Sequence, residues 1–323
     1  TPVEYASVPL TCYEGKGYRR ETFESISTLL ENYYASRDTI TRIRQKSSDL
    51  RRIVQTALER SCKKYDLQLK QLKDTEKREK YRIYGELLNT YGYELKGGEK
   101  SFKCINYYDN EEITIPLDPQ LTARENAQKH FDKYNKLKRT YEALSQLTME
   151  TKAEVDHLES VSSALDIALE ENDLVQIKEE LMEFGYVKKR RANEKRPKIT
   201  SKPFHYISSD GYDIFVGKNN YQNEELTFKV ASGNDWWFHA KGIPGSHVIV
   251  KSNGQTDLPD RVFEEAGALA AYYSKGREND KVEIDYIQKK NIKKVAGAAP
   301  GFVIYHTNYS LVASPRCDLK EVK

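Results

Sequence analysis

Apolar residues recur at helical spacing over two long stretches in the first half of the chain. The first stretch, Arg37–Tyr84, contains no Pro and no Gly. Its apolar residues are separated by 4, 3, 4 and 3 positions: Leu58, Cys62, Tyr65, Leu69 and Leu72. That spacing is typical of a coiled-coil seam. The pattern predicts one long helix over residues 37–84 that buries a narrow stripe and leaves the rest in solvent.

A second stripe of the same kind follows from about Thr122. Its positions keep three- and four-residue steps: Tyr134, Leu137, Tyr141, Leu144, Thr148, Thr151, Val155, Leu158, Ser162, Leu165 and Leu169. A single amphipathic helix cannot hide such a stripe from water, and segments that are near in sequence pair readily. We therefore predict an antiparallel, intramolecular coiled-coil arm. Parallel pairing of two chains is the alternative.

Between the two stripes the pattern changes to that of β structure. Residues 101–107 and 113–117 are rich in strand-forming side chains and flank the polar segment Asp109-Asn110-Glu111, which is typical of a hairpin. Lys96-Gly97-Gly98-Glu99 predicts a turn before the hairpin. We expect a small folded tip, about residues 85–120, at the end of the arm.

After Pro203 short strand-like runs alternate with turn residues, and one helix is predicted from about Pro259 to Ser274. The strand-like runs are Phe204–Ile207, Tyr212–Val216, Trp236–Ala240, His247–Lys251, Lys281–Ile287, Phe302–His306 and Leu311–Ala313. These elements predict a compact α+β domain. The predicted organisation is a lead-in strand and helix (1–36), the arm with its tip (37–187), a basic linker (188–202), the α+β domain (203–316) and a tail (317–323).

Charge is distributed unevenly, although the 323 residues carry a net formal charge of only +3. The linker, 188–202, contains eight Lys or Arg and one Glu, whereas residues 203–316 contain thirteen basic and thirteen acidic side chains. The linker is therefore the part of the chain best suited to neutralise phosphates. A mean hydropathy of -0.77 with 11% aromatic residues fits solvated helices better than disorder.

Several classes of protein are not expected. No run of 18 apolar residues is present, so no membrane helix is predicted. The four cysteines are widely spaced, which argues against a zinc site or a disulfide framework and favours a reducing cytoplasm: Cys12, Cys62, Cys104 and Cys317. The chain starts at Thr1 without a signal-peptide pattern, and we expect it to be a fragment of a longer protein. No cofactor is expected.

The segment Asn234–Val248 holds the densest group of chemically versatile side chains. Pro244-Gly245 predicts a tight turn between two strands, with Trp236 and Phe238 on one face and Trp237 and His239 on the other. Trp236 and Phe238 are more typical of a core. For Trp237, His239 and His247, core packing and contact with a phosphate or a base both remain open.

Neither a metal site nor catalysis is expected in this segment. His239 and His247 have no third metal ligand at a suitable spacing. Ser246 has neither the strand-turn-helix setting of a nucleophile nor a matching acid. A hydrolase that uses these three residues is the weakest of our hypotheses.

Two further polar clusters are Gly217–Asn223 and Lys289–Lys294. Asn-rich loops usually form turns and caps; the alternative is that their amides, with Lys218, hold phosphates. The second cluster has four lysines in six residues. Such a run of lysines usually forms a solvated surface. Nucleic-acid binding is favoured only if this cluster adjoins the hairpin of Trp237 and His247.

Several motifs in the right order resemble the RqcH/FbpA/NEMF family. Asn219-Asn220-x-x-Asn223, Leu226-Thr227 and the segment Asp235–Val248 resemble its NFACT-R RNA-binding domain. Three other segments resemble the family's arm: Tyr84–Leu88, Ile115–Pro119 and Glu125–Lys138. The resemblance covers nearly the whole chain. It implies a middle coiled-coil domain followed by NFACT-R, with the N-terminal NFACT-N domain and the helix-hairpin-helix segment absent.

The resemblance implies a ribosome quality-control factor and no enzyme. Members of the family bind the large ribosomal subunit that is obstructed by peptidyl-tRNA, recruit tRNA and, in bacteria, support the addition of C-terminal alanine tails. Because the Asp-Arg motif associated with tailing lies in the NFACT-N domain, we expect this chain to bind ribosome or RNA but not to support tailing alone. A surface adhesin that binds fibronectin, as one family name suggests, is the alternative.

The candidate nucleic-acid contacts come from the linker, the two polar clusters and the hairpin. They are Lys188, Lys189, Arg190, Arg191, Lys218, Asn219, Asn220, Asn223, Trp237, His239, Lys241, Ser246, His247, Lys289, Lys290, Lys293 and Lys294.

Overall fold

A computed structural model describes residues 3–14, 20–190, 198–255 and 257–322. The chain forms two compact units, Thr1–Leu58 together with Asp156–Lys323, and Glu59–Val155. Within the described ranges, no helix is long and apolar enough to cross a membrane.

In the described chain, four helices with one β-hairpin between the second and the third are followed by eight short strands and two further helices. The helices are α1 (Ile26–Asp74), α2 (Arg78–Tyr91), α3 (Ala123–Ile167), α4 (Glu171–Glu183), α5 (Asn220–Glu225) and α6 (Asp260–Tyr272). The strands are β1 (Ser101–Ile105), β2 (Glu112–Pro116), β3 (Phe204–Ile207), β4 (Asp213–Val216), β5 (Trp236–Ala240), β6 (Val248–Val250), β7 (Val282–Gln288), β8 (Lys293–Lys294), β9 (Val303–Ile304) and β10 (Tyr309–Ala313). A helical region followed by an α+β domain is therefore confirmed.

The first predicted helix is interrupted once, between α1 and α2. A turn covers residues 75–77, and the buried hydroxyl of Thr75 donates a hydrogen bond to the carbonyl of Leu72 at 2.6 Å. Such a local bond competes with the regular helical hydrogen bonds. Because neither Gly nor Pro marks this turn, hydrophobic spacing alone predicts a continuous helix here.

The buried stripe of α1 departs by one residue from the predicted seam. Ser61 and Gln68 are buried, whereas Cys62 is half-buried and Leu69 is 41% exposed. Polar residues at single seam positions can fix the register of a coiled coil at some cost in stability. The helical repeat was predicted correctly, but the prediction that Leu69 is buried is wrong because hydrophobicity does not find a seam built with polar side chains.

The stripe of α3 agrees better with its prediction. From Tyr134 to Leu165 every predicted position is buried or half-buried, and Leu158 and Thr151 are among the most buried residues of the helix. Leu169 is an exception, being exposed just after the helix ends.

In the first unit, α1 packs against the last part of α3 and against α4. Leu50 and Val54 of α1 share a core with Leu158 and Leu165 of α3. Polar bonds flank this core: Arg51 donates to Asp166, and Lys46 lies 2.5 Å from Glu171. Moving along α1 from residue 46 to residue 51 therefore means moving back along the partner segment from residue 171 to residue 166. The two segments run in opposite directions here.

The second unit contains the predicted β-hairpin. β1 and β2 pair antiparallel, with Phe102 opposite Ile115, and both side chains join Leu87 of α2 in a small core. Gly85 has a packing role, because a Cβ at this position would lie 2.8 Å from the ring of Phe131. The hairpin prediction is confirmed.

The α+β domain has a six-stranded sheet in the order β10-β7-β5-β6-β4-β3, with all neighbours antiparallel. α6 covers one face, where Leu269 packs in a core with Phe238 and Ile284. The other face carries a second core around Leu226 and Trp237. The predicted strands and the helix α6 are confirmed to within a few residues at each end.

Candidate nucleic-acid interface

The hairpin predicted around Pro244-Gly245 is formed by β5 and β6. Trp237 lies opposite Ile249 in the register, and both belong to the core on the face away from α6. Phe238 belongs to the α6 core. The predicted alternation of side chains along β5 is therefore confirmed.

Trp237, His239 and His247 form one cluster on that second face. The ring of Trp237 stacks on His239 with centroids 5.6 Å apart and meets His247 edge-on at 5.1 Å. Tyr305 lies 5.2 Å from the same indole. Trp237 is only 1% exposed, so its ring offers no free face to a base. Base contact by these three residues stays a prediction.

Both histidines of the cluster are neutral at physiological pH. Desolvation lowers the pKa of His239 to about 4. Desolvation, and then the neighbouring His239, lower the pKa of His247 well below its usual value. His247 Nδ1 shares a 2.7 Å hydrogen bond with the hydroxyl of Thr227. These side chains therefore do not supply positive charge to a phosphate.

Ser246 and Asn223 tie the hairpin to the preceding loop. The hydroxyl of Ser246 donates to the carbonyl of Gly217 at 2.5 Å, and the side-chain oxygen of Asn223 accepts from the backbone NH of His247 at 3.0 Å. Gly217 is required here because a Cβ would lie 2.2 Å from that oxygen of Asn223. Both side chains are buried, and their visible role is to hold the backbone.

Lys218, Asn219 and Asn220 face the helical region. Lys218 Nζ lies 3.3 Å from Asp173 and 4.4 Å from the ring centroid of Phe204. All three cluster residues are buried. Phosphate contact by them stays a prediction, and it would require the loop to leave these partners.

The side-chain amides of Asn219 and Asn220 donate hydrogen bonds to acceptors on α3 and α4. Asn219 donates to Gln176 at 2.8 Å, and Asn220 donates to Glu180 at 2.7 Å. His157 of α3 bonds the same oxygen of Glu180 at 2.8 Å. We call the set Asp173, Gln176, Glu180, His157, Lys218, Asn219 and Asn220 the polar boundary.

α4 is a helix with two buried faces. Leu174, Ile177 and Leu181 enter the core shared with α1 and α3, whereas Asp173, Gln176 and Glu180 belong to the polar boundary. The second buried face of α4 was not predicted from the sequence. The signal was available, because these polar residues are spaced three and four positions apart.

The lysine cluster after β7 adjoins the hairpin, as nucleic-acid binding requires. The backbone NH of Lys289 donates to the carbonyl of Asp235 at 2.9 Å, and that of Lys290 donates to Gly233 at 2.9 Å. Lys290 and Lys293 are exposed, whereas Lys294 lies 2.7 Å from Glu224. We call Lys289, Lys290 and Lys293 the lysine patch. Lys289 is half-buried, with its Nζ 5.9 Å from the ring centroid of Phe228, so Lys290 and Lys293 carry the exposed charge of the patch next to β5.

The remaining candidate cations are scattered. Lys188 and Lys189 are exposed, and Arg190 is bonded to Glu179. Lys241 is bonded to Glu283 at the far end of β5. Arg191 lies outside the described residues. In the described part of the chain, no group of three or more His, Cys, Asp or Glu side chains could hold a metal ion.

Comparison with known proteins assigns both halves of the chain. Residues 1–200 match the model of the NFACT N-terminal and middle domains, and residues 202–306 match that of the NFACT protein RNA binding domain. The chain belongs to the NFACT family. The second match includes the whole β5–β6 hairpin and the lysine patch.

Named NFACT relatives are longer than this chain. It is 42% identical to the Rqc2 homolog RqcH of Streptococcus suis over its whole length, which is 57% of that protein. It is 36% identical to the Rqc2 homolog RqcH of Bacillus subtilis over 96% of the chain and 54% of that protein. The chain thus spans little more than half of these relatives.

One solved structure is similar over most of the chain. It is the C-terminal part of the fibronectin/fibrinogen-binding protein of Streptococcus suis, with a TM-score of 0.65 and 38% identity. The match covers 86% of this chain and 97% of that one.

The family match corrects one prediction. The expectation that the NFACT N-terminal domain is absent is wrong, because the model that matches residues 1–200 is the one for the N-terminal and middle domains. The expectation that this chain cannot support tailing by itself rested on that absence and loses its basis. Motifs in the arm and the hairpin do not determine how far the family's N-terminal part extends along the chain.

Proposed function

We propose that this chain is the RNA- and ribosome-binding part of a cytoplasmic ribosome quality-control factor. It would bind the obstructed large ribosomal subunit and tRNA and, in the longer protein, support alanine tailing. The observation that carries this proposal is the exposed lysine patch beside β5, inside the segment that matches an RNA-binding domain. The relatives named RqcH support the ribosomal setting.

The lysine patch and the linker supply the charge for this role. Lys289, Lys290 and Lys293 lie within five residues of one another in the sequence, and Lys188 and Lys189 of the linker are exposed. Neutralising phosphates with such side chains releases counterions, so binding should weaken steeply as salt rises. The neutral histidines and the buried Asn side chains would serve by shaping the hairpin.

We further propose that α1 and α3 form an antiparallel, intramolecular coiled-coil arm along their length. Buried positions three and four residues apart on both helices support it, as does their antiparallel packing in the first unit. An arm of this kind can contact a point of the ribosome far from the RNA-binding domain.

We propose binding and not catalysis as the activity of the α+β domain. The hydroxyl of Ser246 is bonded to Gly217, and Nδ1 of His247 is bonded to Thr227. The serine is therefore not held as a nucleophile by the histidine, because each uses another partner.

Removing the charge of the lysine patch is expected to weaken RNA binding. In the variant Lys289→Gln/Lys290→Gln/Lys293→Gln, affinity for a short labelled RNA should fall roughly tenfold or more at low salt. The slope of log affinity against log salt should become shallower by about 2, since each single-strand phosphate contact contributes about 0.7. Fluorescence anisotropy over a salt series measures both.

A matched variant controls for total charge. Lys63, Lys64 and Lys70 are exposed on α1, and changing them to Gln removes the same charge away from the patch. We expect this control to keep the wild-type affinity and salt slope. Equal losses in the two variants would show that the effect is one of net charge and would count against the patch.

Ribosome binding is tested by sedimentation. The chain should co-sediment with large subunits that carry peptidyl-tRNA and less with empty ones. Fibronectin binding is the second candidate, because the similar Streptococcus suis structure is named for it. Capture of the chain on immobilised fibronectin without co-sedimentation would favour that candidate and contradict the proposed function.

A further inference from the structure

Positive charge is concentrated on one part of α2 and α3. Residues 77–84 contain four Lys or Arg and one Glu, and residues 124–139 contain six Lys or Arg and two acidic side chains. Both stretches belong to the unit Glu59–Val155, outside the segment that matches the RNA-binding domain. This basic surface and the lysine patch therefore belong to different units of the chain.

Aromatic rings hold the lysines of this surface in place. Lys133 Nζ of α3 lies 4.4 Å from the ring centroid of Tyr81 in α2, and Lys80 Nζ lies 5.3 Å from that of Tyr84. The ring of Tyr81 also stacks on His130 of α3, with centroids 6.1 Å apart. A cation is attracted to the face of an aromatic ring, so the two helices present these ammonium groups at fixed positions.

Lys133 belongs to a row of lysines along α3. Lys129, Lys133 and Lys136 are four and three residues apart, so they share one face of the helix. At 1.5 Å per residue, the row is about 10 Å long. Lys77 and Lys80 are exposed beside Tyr81, and Lys133 and Lys136 are also exposed. We define the Tyr81 patch as Lys77, Lys80, Tyr81, Lys133 and Lys136.

Three lysines of the Tyr81 patch are not neutralised by a carboxylate. Lys129 is paired with Asp118 at 2.9 Å, and Lys77 lies 3.6 Å from Asp74. Lys80, Lys133 and Lys136, by contrast, form no ion pair with any of the residues that the structure describes. Their charge is therefore available to a ligand.

The hydroxyl of Tyr81 shows the sign of the electrostatic potential at the patch. The nearby ammonium group of Lys133 lowers the pKa of Tyr81 most, and the charges of Lys77 and Lys80 lower it further, although burial acts in the other direction. A lowered pKa of a phenol means that the surroundings favour negative charge. The patch should therefore attract an anion.

We propose that the Tyr81 patch binds the phosphate backbone of RNA and is a second RNA-binding surface of the chain. Lys133 and His130 already contact the ring of Tyr81, so the patch offers ammonium groups to phosphates but no free ring to a base. Phosphate contacts carry no sequence information, and duplex and single-stranded RNA both expose phosphates. Both forms should therefore bind.

The inference rests on the proposed RNA binding and assigns part of it to α2 and α3. A polyanion suits a row of lysines, because each phosphate that is neutralised releases counterions. RNA is favoured over an acidic protein segment because the same chain contains a segment that matches an RNA-binding domain.

Lys80→Gln/Lys133→Gln/Lys136→Gln tests the patch. Its affinity for a labelled RNA duplex should fall at least about fivefold at low salt, and the slope of log affinity against log salt should become shallower by roughly 2. The unpaired strand should lose affinity as well. Because the three side chains are exposed, the helical circular dichroism should stay at the wild-type value.

The variant Lys63→Gln/Lys64→Gln/Lys70→Gln is the matched control. It removes the same charge from exposed positions of α1 in the same unit, and it should bind both RNA forms as wild type does. Equal losses in this control and in the patch variant would show an effect of net charge and would contradict the inference. A loss confined to single strands would show contact with bases and would also contradict it.

A second measurement does not depend on affinity. Lysines of the wild-type chain are acetylated with a water-soluble N-hydroxysuccinimide ester, with and without saturating RNA duplex, and are located by mass spectrometry. The duplex should protect Lys80, Lys133 and Lys136. Unchanged acetylation of these three lysines would overturn the inference.

The outcomes separate this inference from the function on which it rests. If the wild-type chain binds no RNA of either form, both fail. If it binds RNA and the patch variant binds as tightly as wild type, only the second surface fails. If the patch variant loses binding to a labelled poly-glutamate peptide but not to RNA, the lysines serve an acidic protein segment and the inference is wrong.

Discussion

Asp173→Ala is expected to lower the free energy of unfolding by about 3–5 kcal/mol. Asp173 is 1% exposed and faces the buried ammonium of Lys218, which would keep its charge without a counterion. The same carboxylate accepts the hydroxyl of Ser201 at 2.6 Å and the NH groups of Leu169 and Glu170 at 3.0 Å. Several hydrogen-bond donors would thus lose their acceptor in one substitution.

Urea unfolding measures this loss, and two further variants locate its cause. Glu171→Ala removes an acidic residue two positions earlier that is paired at the surface, and it should cost less than about 1 kcal/mol. Adding Lys218→Met to Asp173→Ala should recover part of the stability, because it removes the stranded charge. A cost for Asp173→Ala no larger than that for Glu171→Ala would contradict the importance of the buried pair.

Acidification from pH 7 to pH 5 is expected to destabilise the α+β domain by about 2 kcal/mol through His239, with a further loss through His247. Both have a lowered pKa in the folded chain. Below about pH 6.5 the unfolded chain binds protons at these positions while the folded chain does not. Stability is therefore lost as pH falls below 6.5, and for His239 the loss is about 1.4 kcal/mol per pH unit until its folded pKa of about 4 is reached.

Urea titrations at several pH values check this expectation. His239→Gln and His247→Gln should each remove part of the pH-dependent loss, whatever their effect on stability at pH 7. His306 is exposed near the end of the sheet domain, and His306→Gln should leave the loss unchanged. The same steep loss in the variant that lacks both buried histidines would show that other groups cause it.

Local pattern was enough to predict most of the sheet. Strand β5 was predicted with its observed ends, and the turn at Pro244-Gly245 joins it to β6 as expected. Alternation along β5 also separated Phe238 from Trp237. These features depend on neighbouring residues and on the fixed period of a strand, so one sequence contains them.

The candidate site was harder to predict because it depends on contacts between distant residues. Asn219 and Asn220 look equally suited to a phosphate or to a protein acceptor until Gln176 and Glu180 are placed beside them. The buried stripe of α1 was also mispredicted for this reason. Hydrophobic spacing predicted that Leu69 is buried, whereas the polar Gln68 is buried in its place.

The polar boundary also determines how its two sides respond to temperature. It buries amides, carboxylates and an ammonium group, and exposing these polar groups would add little to the heat-capacity change when the two surfaces separate. The cores around Leu269 and Leu158 depend on apolar burial, which weakens on cooling. On cooling, therefore, the contact between the helices and the sheet should lose less stability than the hydrophobic core on either side of it.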